Sequence, residues 1–392
     1  VALSLVGPRS ILFMGLFSFV IYALLLMYLA RKKSEAFWMM LLFLPALLIT
    51  FKHGFTRQDG HVLYYFPFLL SVLSFLLLVS LSLNEWRAVL FTFFIVQLLA
   101  LPVALNYGVP YFADAVDLLS GKRAIDNLGN LLRLPATRER LAEESHENLR
   151  ARRLPDPWLE RIRGDGGTVD VFPWELNYIP ANGLTWQPSP LLQGYLILTQ
   201  SLDQRTAGHL SGSYAPDFLL VHFEDIDGRN LILDAPATWR AIRANYDILD
   251  RREKLFLLQK AGSGPQMTEF TPVASLAVEG SKWLDVPAVN AEPYLFMDMR
   301  LSWLGQLRKS LFRIPAVMIE CNYRNDLPQS FRITPNTAAN GLALGATPRT
   351  ADEFALWFEG SLKNEVTHFR FYEAGGFQHY RSPISAQWRI LE

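Results

Sequence analysis

Five titratable side chains fall within ten positions of the stretch "FKHGFTRQDGHVLYYF": Lys52, His53, Arg57, Asp59 and His61, with almost purely apolar sequence on both sides. Arg57 can grip a phosphate through its bidentate fork and Lys52 as a point charge, which makes both candidate substrate-binding groups. Asp59 and His61 are the candidate catalytic pair, able to serve as general base or to ligate a metal. Gly54 and Gly60 suit a tight turn. The plainer reading is an interfacial loop, in which Lys and Arg snorkel to headgroups while His and Asp stay wet.

A second stretch, "FPWELNYIPANGLTWQPSPLLQGYLILTQSLDQ" at 172–204, crowds four prolines, Trp174, Tyr178, Trp186 and several amides between regular elements. Aromatic faces beside amides suit a sugar, whose C–H groups stack while its hydroxyls pair. Trp174, Trp186, Gln193 and Tyr195 are therefore candidate ligand contacts. The alternative is a proline-rich loop packing its rings onto a sheet. In "FEDIDGRN" the pair Asp225 and Asp227 can hold a divalent cation, but Asp-Gly between two strands is first a hairpin turn. His209, His222, His368 and His379 are scattered without metal-ligand spacing. No nucleophile-elbow sequence occurs, and "GSGPQ" lacks the Lys-Ser/Thr ending of a phosphate loop.

The elements that must hold these groups differ between the two ends of the chain. Residues 1–107 are mostly Leu, Phe, Val, Ile and Ala, and the rest has ordinary mixed composition. Apolar runs at about 11–30, 36–51, 62–83 and 88–106 predict about four membrane helices. The first, third and fourth are long enough to cross a ~30 Å hydrocarbon core. The second is short and carries Pro45, so it reads as kinked or re-entrant. "ILFMGLFSFVIYALLLMYLA" is longer than a signal-peptide core and ends in its charges, "RKK", which marks a membrane helix. A chain that starts at Val1 without Met suggests processing, a fragment or a longer N-terminus. If "RKK" is cytoplasmic, the "NEWR" turn is too, and two crossings then separate loop 52–61 from everything after helix four. The loop and the later region share one face, expected to be extracytoplasmic.

Residues 108–164 read as a charged helical connector, with Leu141, Leu149 and Leu154 on a thin apolar edge and a break at "LPDPW". Over 165–262, "TVDVF" and "DFLLVHFE" read as strands, "RNLIL" as a return strand after the "DIDG" turn, and "SLDQRTAGHLSG" as a helix ended by glycine. Together these predict a small α/β unit. Over 263–392 the runs "YLFMDMRL", "AVMIECNY", "SFRITP", "GLALGA", "HFRFYEA" and "AQWRIL" predict a β-sandwich, and about 130 residues can close their own core.

Balanced charge, with 37 Lys and Arg against 37 Asp and Glu, excludes the electrostatic footprint of a nucleic-acid partner. Cys321 is the only cysteine, so neither an intramolecular disulfide nor a Cys-based zinc site can form.

Membrane helices, a charged loop such as "FKHGFTRQDGH", and a later region containing "VDVFPWELNYIPANGLTWQPSPLLQGYLILTQSLDQRTAGHL" resemble the C-terminal part of bacterial polytopic envelope proteins of the GT-C glycosyltransferase type. The resemblance covers about 50–392. It implies sugar transfer from a polyprenyl-phosphate donor at the outer face, often with a divalent cation. Such enzymes usually have eight or more membrane helices and a catalytic carboxylate in the first external loop. The chain departs from both, which implies a C-terminal half whose main carboxylate lies elsewhere, with missing helices supplied by other membrane subunits or by more of the same protein. The competing reading is a non-catalytic membrane-anchored subunit whose later region binds a glycan or a partner protein. A transporter component fits less well, because no pair of interrupted helices recurs in matching positions. In each case membrane lipids surround the first hundred residues.

Overall fold

A computed structural model describes residues 5–79, 81–108, 117, 121–262, 269–324, 326–362, 365–373 and 376–391. The chain divides into two compact units. The helical unit comprises Leu3–Thr137 together with Leu307–Ile314, and the mixed unit comprises Arg138–Gln306 and Pro315–Glu392.

Among the described residues, four apolar helices build the core of the helical unit: α1 (Arg9–Arg31), α2 (Glu35–Thr56), α3 (Val62–Leu77) and α4 (Leu83–Asn106). They alternate in direction. At one end Gln58 N–H donates to the Leu5 carbonyl at 3.2 Å, and the Tyr107 hydroxyl to the Gln58 carbonyl at 3.2 Å. At the other end Ser34 caps α2, and Ser82 and Glu85 form a capping box on α4. Three helices, α1, α2 and α4, are long and apolar enough to cross a membrane. The sequence reading had the second run short and the third long, and the structure reverses this. The apolar run ends at Phe51, but helical hydrogen bonding carries α2 through Pro45 and on through Lys52 and His53 to Thr56. Helix α3 stops at Leu77 after 16 residues, about 24 Å at 1.5 Å per residue. The interior holds two buried tyrosines. Tyr65 shares a 2.7 Å hydrogen bond with Ser18, and Tyr22 donates to the Met40 carbonyl at 2.7 Å. Gly15 lets α1 approach α2, since a Cβ there would sit 2.2 Å from the Phe55 ring.

The connector forms helices Lys122–Leu132, Leu134–Arg150 and Asp156–Gly164 (α5–α7). Ile125, Leu128, Leu131 and Leu132 are exposed on the first of them, and Leu154 is buried in the break before the third.

Among its described residues the mixed unit holds three sheets. The first is five-stranded, ordered β2-β1-β3-β5-β4. Its strands are β1 (Thr168–Phe172), β2 (Thr185–Trp186), β3 (Phe218–His222), β4 (Tyr246–Arg252) and β5 (Leu255–Lys260). Strand β1 pairs parallel with both β2 and β3, while β5 pairs antiparallel with β3 and β4. Gln200–Ser211 is helical and ends at Gly212, as expected. "RNLIL" is not a strand. Asn230 accepts from the Ile232 and Leu233 N–H groups and caps a short helix, Leu231–Asp234, so β3 finds its antiparallel partner in β5.

Six expected runs of the last stretch become strands in two four-stranded antiparallel sheets. One contains β7 (Leu284–Asp285), β9 (Val317–Tyr323), β10 (Gln329–Arg332) and β12 (Val366–Glu373). The other contains β6 (Phe270–Val278), β8 (Pro293–Met297), β11 (Leu342–Ala343) and β13 (Ile384–Leu391). Phe369 of one sheet meets Trp388 of the other edge-on at 5.7 Å. The α/β region and these sheets share a core, in which Phe354 touches the rings of Trp239, Phe256 and Trp357.

Candidate functional site

The loop between α2 and α3 is shorter than its sequence suggests. Lys52 and His53 are helical, and only Arg57–His61 leaves the helix. Gly54 serves helix approach, because a Cβ there would lie 3.0 Å from the His61 carbonyl oxygen, whereas Gly60 faces open space.

Asp59 gathers its neighbours. Its Oδ2 accepts from Arg57 Nε at 2.7 Å, and its Oδ1 from the His61 backbone N–H at 3.1 Å. The same Oδ1 lies 2.5 Å from His61 Nδ1. Partial burial pushes the Asp59 carboxyl up, but the backbone and ring hydrogen bonds of His61 and the charges of His61 and Arg57 together outweigh it and hold it below the usual aspartate value. A carboxylate on Nδ1 fixes the imidazole's orientation and favours the proton on that nitrogen, which leaves Nε2 as the atom that can exchange a proton. The sequence placed Asp59 and His61 together as candidate catalytic groups, and the structure brings them into contact, with Asp59 Oδ1 holding the His61 ring and backbone. His53 lies with its ring 5.4 Å from that of His61, and Tyr64 stands 6.0 Å from His61 on the other helix.

Lys52 does not join this cluster. Five residues along a helix turn a side chain by about 140°, so Lys52 and Arg57 diverge. Lys52 Nζ instead donates to the Ser310 carbonyl at 2.9 Å. Ser310 belongs to Leu307–Ile314, the late segment of the helical unit, which also brings Arg313. The Arg313 guanidinium is buried and donates to the Leu5 and Phe55 carbonyls and to Gln58 Oε1, tying together the chain ends on which the loop stands. Nothing in "LFRIP" marks that role in sequence, because the contact spans about 250 residues.

The second candidate region also rearranges. Strands β1 and β3 lie side by side and parallel, yet the chain leaves β1 toward β2 on one side and returns to β3 on the other. A crevice therefore opens beyond their carboxyl ends, the place where α/β sheets bind ligands. Pro173, Trp174 and Tyr195 line it from one side, and Asp225, Ile226 and Arg229 from the other. The Trp174 and Tyr195 rings meet edge-on at 6.0 Å, and Gln193 Oε1 accepts from the Tyr195 hydroxyl at 2.6 Å. Trp186 is not with them. Its Nε1 donates to Asp170 Oδ1 at 3.0 Å at the sheet's far edge, where Ser189 also binds Asp170.

Arg229 was not anticipated. The Asp227-Gly228 turn exists as expected, with φ of 58° and 70°, and Arg229 N–H closes it on the Ile226 carbonyl at 3.1 Å. It sends Arg229 inward to 1% exposure. Asp234 Oδ2 accepts from Arg229 Nη1 at 2.8 Å, and the Tyr195 carbonyl from the same nitrogen at 3.1 Å. Burial raises the Asp234 carboxyl above its ordinary value against the pull of Arg229 and of the Thr334 hydroxyl.

Among the described residues no three His, Cys, Asp or Glu side chains converge as a metal site. Cys321 is buried, and burial pushes its thiol up to about 12, which makes it unreactive. Comparison with protein-family models, with curated proteins and with solved structures found no match.

Proposed function

We propose that this chain is a membrane-embedded glycosyltransferase-like protein, or the C-terminal half of one, acting on polyprenyl-phosphate-linked sugars. The observation that carries the reading is the Arg57–Asp59–His61 cluster at the junction of two apolar helices. Arg57 holds the donor phosphate at a membrane edge, where a lower dielectric strengthens the pairing. His61, oriented by Asp59, takes the acceptor's proton at Nε2. In this reading all four apolar helices span the bilayer, with α3 reached by local thinning or by its flanking residues. The two four-stranded sheets form a sandwich on the extracytoplasmic side. The divalent cation that the resemblance implies has no preassembled protein site among the described residues, so it arrives with the sugar phosphate.

The test uses the full chain in lipid nanodiscs with a fluorescent polyprenyl phosphate. Arg57→Ala is expected to weaken binding tenfold or more with helical content unchanged, and Arg57→Lys to restore part of it, since Lys lacks the fork. Equal binding by the wild type and by Arg57→Ala sinks the reading. Orientation is tested separately: protease added to intact spheroplasts should cleave beyond residue 121, and protection until lysis reverses the assignment.

A second reading has its own support. Both Asp59 oxygens are already occupied by Arg57 and His61, as in a latch that only fixes the loop. The chain is then a non-catalytic anchor whose mixed unit binds a glycan or a partner protein. Wild-type behaviour of both Arg57→Ala and Asp59→Ala favours it.

A further inference from the structure

Arg229 poses a problem that its neighbours do not solve. Its Nη1 is satisfied twice over, but its Nε and Nη2 are buried without any hydrogen-bond partner among the described residues. A buried N–H without a partner loses its hydration with nothing in return, which is why such groups are rare and call for an explanation. These two nitrogens form the side edge of the guanidinium, the pair of parallel donors that matches two oxygens of one oxyanion. The same side chain lines the crevice at the carboxyl ends of β1 and β3.

We propose that this crevice is a binding site for the carboxylate of a small ligand, with its two oxygens on Nε and Nη2 of Arg229. Several features select a carboxylate over a phosphate. The free space is small, about 10 Å³, no more than one water, so the crevice must widen for any oxyanion, and a planar carboxylate demands less widening than a tetrahedral phosphate. Asp234 is already paired with Arg229, and exposed Asp225 stands in the lining, so a dianion meets more negative charge than a monoanion does. The rest of the ligand lies toward Trp174 and Tyr195, which are half-buried and offer a ring face to a sugar or an ammonium group. The sequence prepares this geometry in two places. The Asp227-Gly228 turn directs Arg229 inward, and Gly194 lets the Tyr195 segment lie on the β1 end, where a Cβ would come within 2.7 Å of the Phe172 ring. The site lies wholly in the mixed unit and is independent of the reading at Arg57.

The experiment is equilibrium dialysis of the full chain in detergent against radiolabelled acetate, glucuronate and glycine, with glucose as the neutral control. Saturable one-to-one binding of acetate, and none of glucose, is expected. Severalfold tighter glucuronate than acetate identifies the source as an acidic sugar, and tighter glycine identifies an amino acid. Arg229→Lys keeps the charge but loses the two-pronged edge and is expected to weaken each carboxylate about tenfold. Because any change at a buried arginine can unfold the protein, Trp174→Ala provides a second variant at the rim. It should weaken glucuronate or glycine severalfold and leave acetate unchanged. Absence of saturable binding by all three carboxylates overturns the proposal and leaves an ordered water as the occupant of the space. Binding that persists at wild-type strength in folded Arg229→Lys overturns it equally.

Discussion

Arg57 and Arg229 each sit beside an aspartate, and the two pairs do opposite things. Arg57 and Asp59 stand two residues apart at the end of a helix, about a third exposed, with a histidine completing the group. Solvent reaches both side chains there, which weakens the dependence of either charge on the other. Arg229 and Asp234 are five residues apart and nearly sealed from solvent, and two nitrogens of the arginine have no hydrogen-bond partner among the described residues. Exposure decides what a charge pair is for. A wet pair is cheap to keep and cheap to lose, and is available to ligands. A buried pair is costly to form, fixes the elements around it and leaves a strong demand wherever it is incompletely satisfied.

The largest test of this contrast is Arg229→Met. It leaves Asp234 buried without its cation, and the expected cost is about 3–5 kcal/mol of stability, read from thermal or denaturant unfolding of the mixed unit's signals. A loss under about 1 kcal/mol would place Arg229 with the solvent-screened pairs.

Gly194→Ala probes the same crevice through packing. The new methyl group is driven against the Phe172 ring and Pro173, and overpacking of this kind costs about 1–3 kcal/mol. Chemical denaturation of the variant measures it, and unchanged stability would mean that the Tyr195 segment moves away freely.

At the other pair, Arg57→Ala is expected to change stability by less than about 1 kcal/mol. A melt followed by the helical circular-dichroism signal checks it. A large destabilisation would show that the helix-end cluster is structural and would erase the contrast.

The smallest effect concerns pH. The folded Asp59 carboxyl is held below its ordinary value, so its contribution is fully present above the unfolded-state value and is lost as pH falls through the depressed one. Asp59→Asn should therefore lower stability slightly at neutral pH and flatten the acid limb of the profile, leaving the slope near neutral pH unchanged. Curvature removed near neutrality instead would contradict the assignment.

Much of the architecture was legible because it rests on local patterns. Alternating residues such as Ile319, Cys321 and Tyr323, with Glu320 and Asn322 between them, declare a strand whatever it pairs with. Gly212 ends its helix by a backbone rule. Asp227-Gly228 makes its turn because both residues accept positive φ. The loop's chemistry was legible for the same reason, since Arg57, Asp59 and His61 interact within five residues. The failures have another cause. "RNLIL" has the composition of a strand, but Asn230 caps a helix there and β5 takes the pairing edge. Lys52 looked like a member of the charged group until α2 continued past the apolar run and turned it toward Ser310.

The sequence by itself determined where apolar faces had to be buried, where the chain turned, and that Arg57, Asp59 and His61, within five positions, stood together. Each depends on residues within a few positions, so the periodicity of the chain encodes it directly. Only the tertiary structure decided which distant groups were brought out of water. Arg313 reaches carbonyls near the start of the chain, Thr334 reaches Asp234, and Arg229 is enclosed by a segment that begins at the end of β1. A charged residue reads the same in sequence whether it ends in solvent or in a core. The difference lies in what surrounds it, which the folded chain alone supplies.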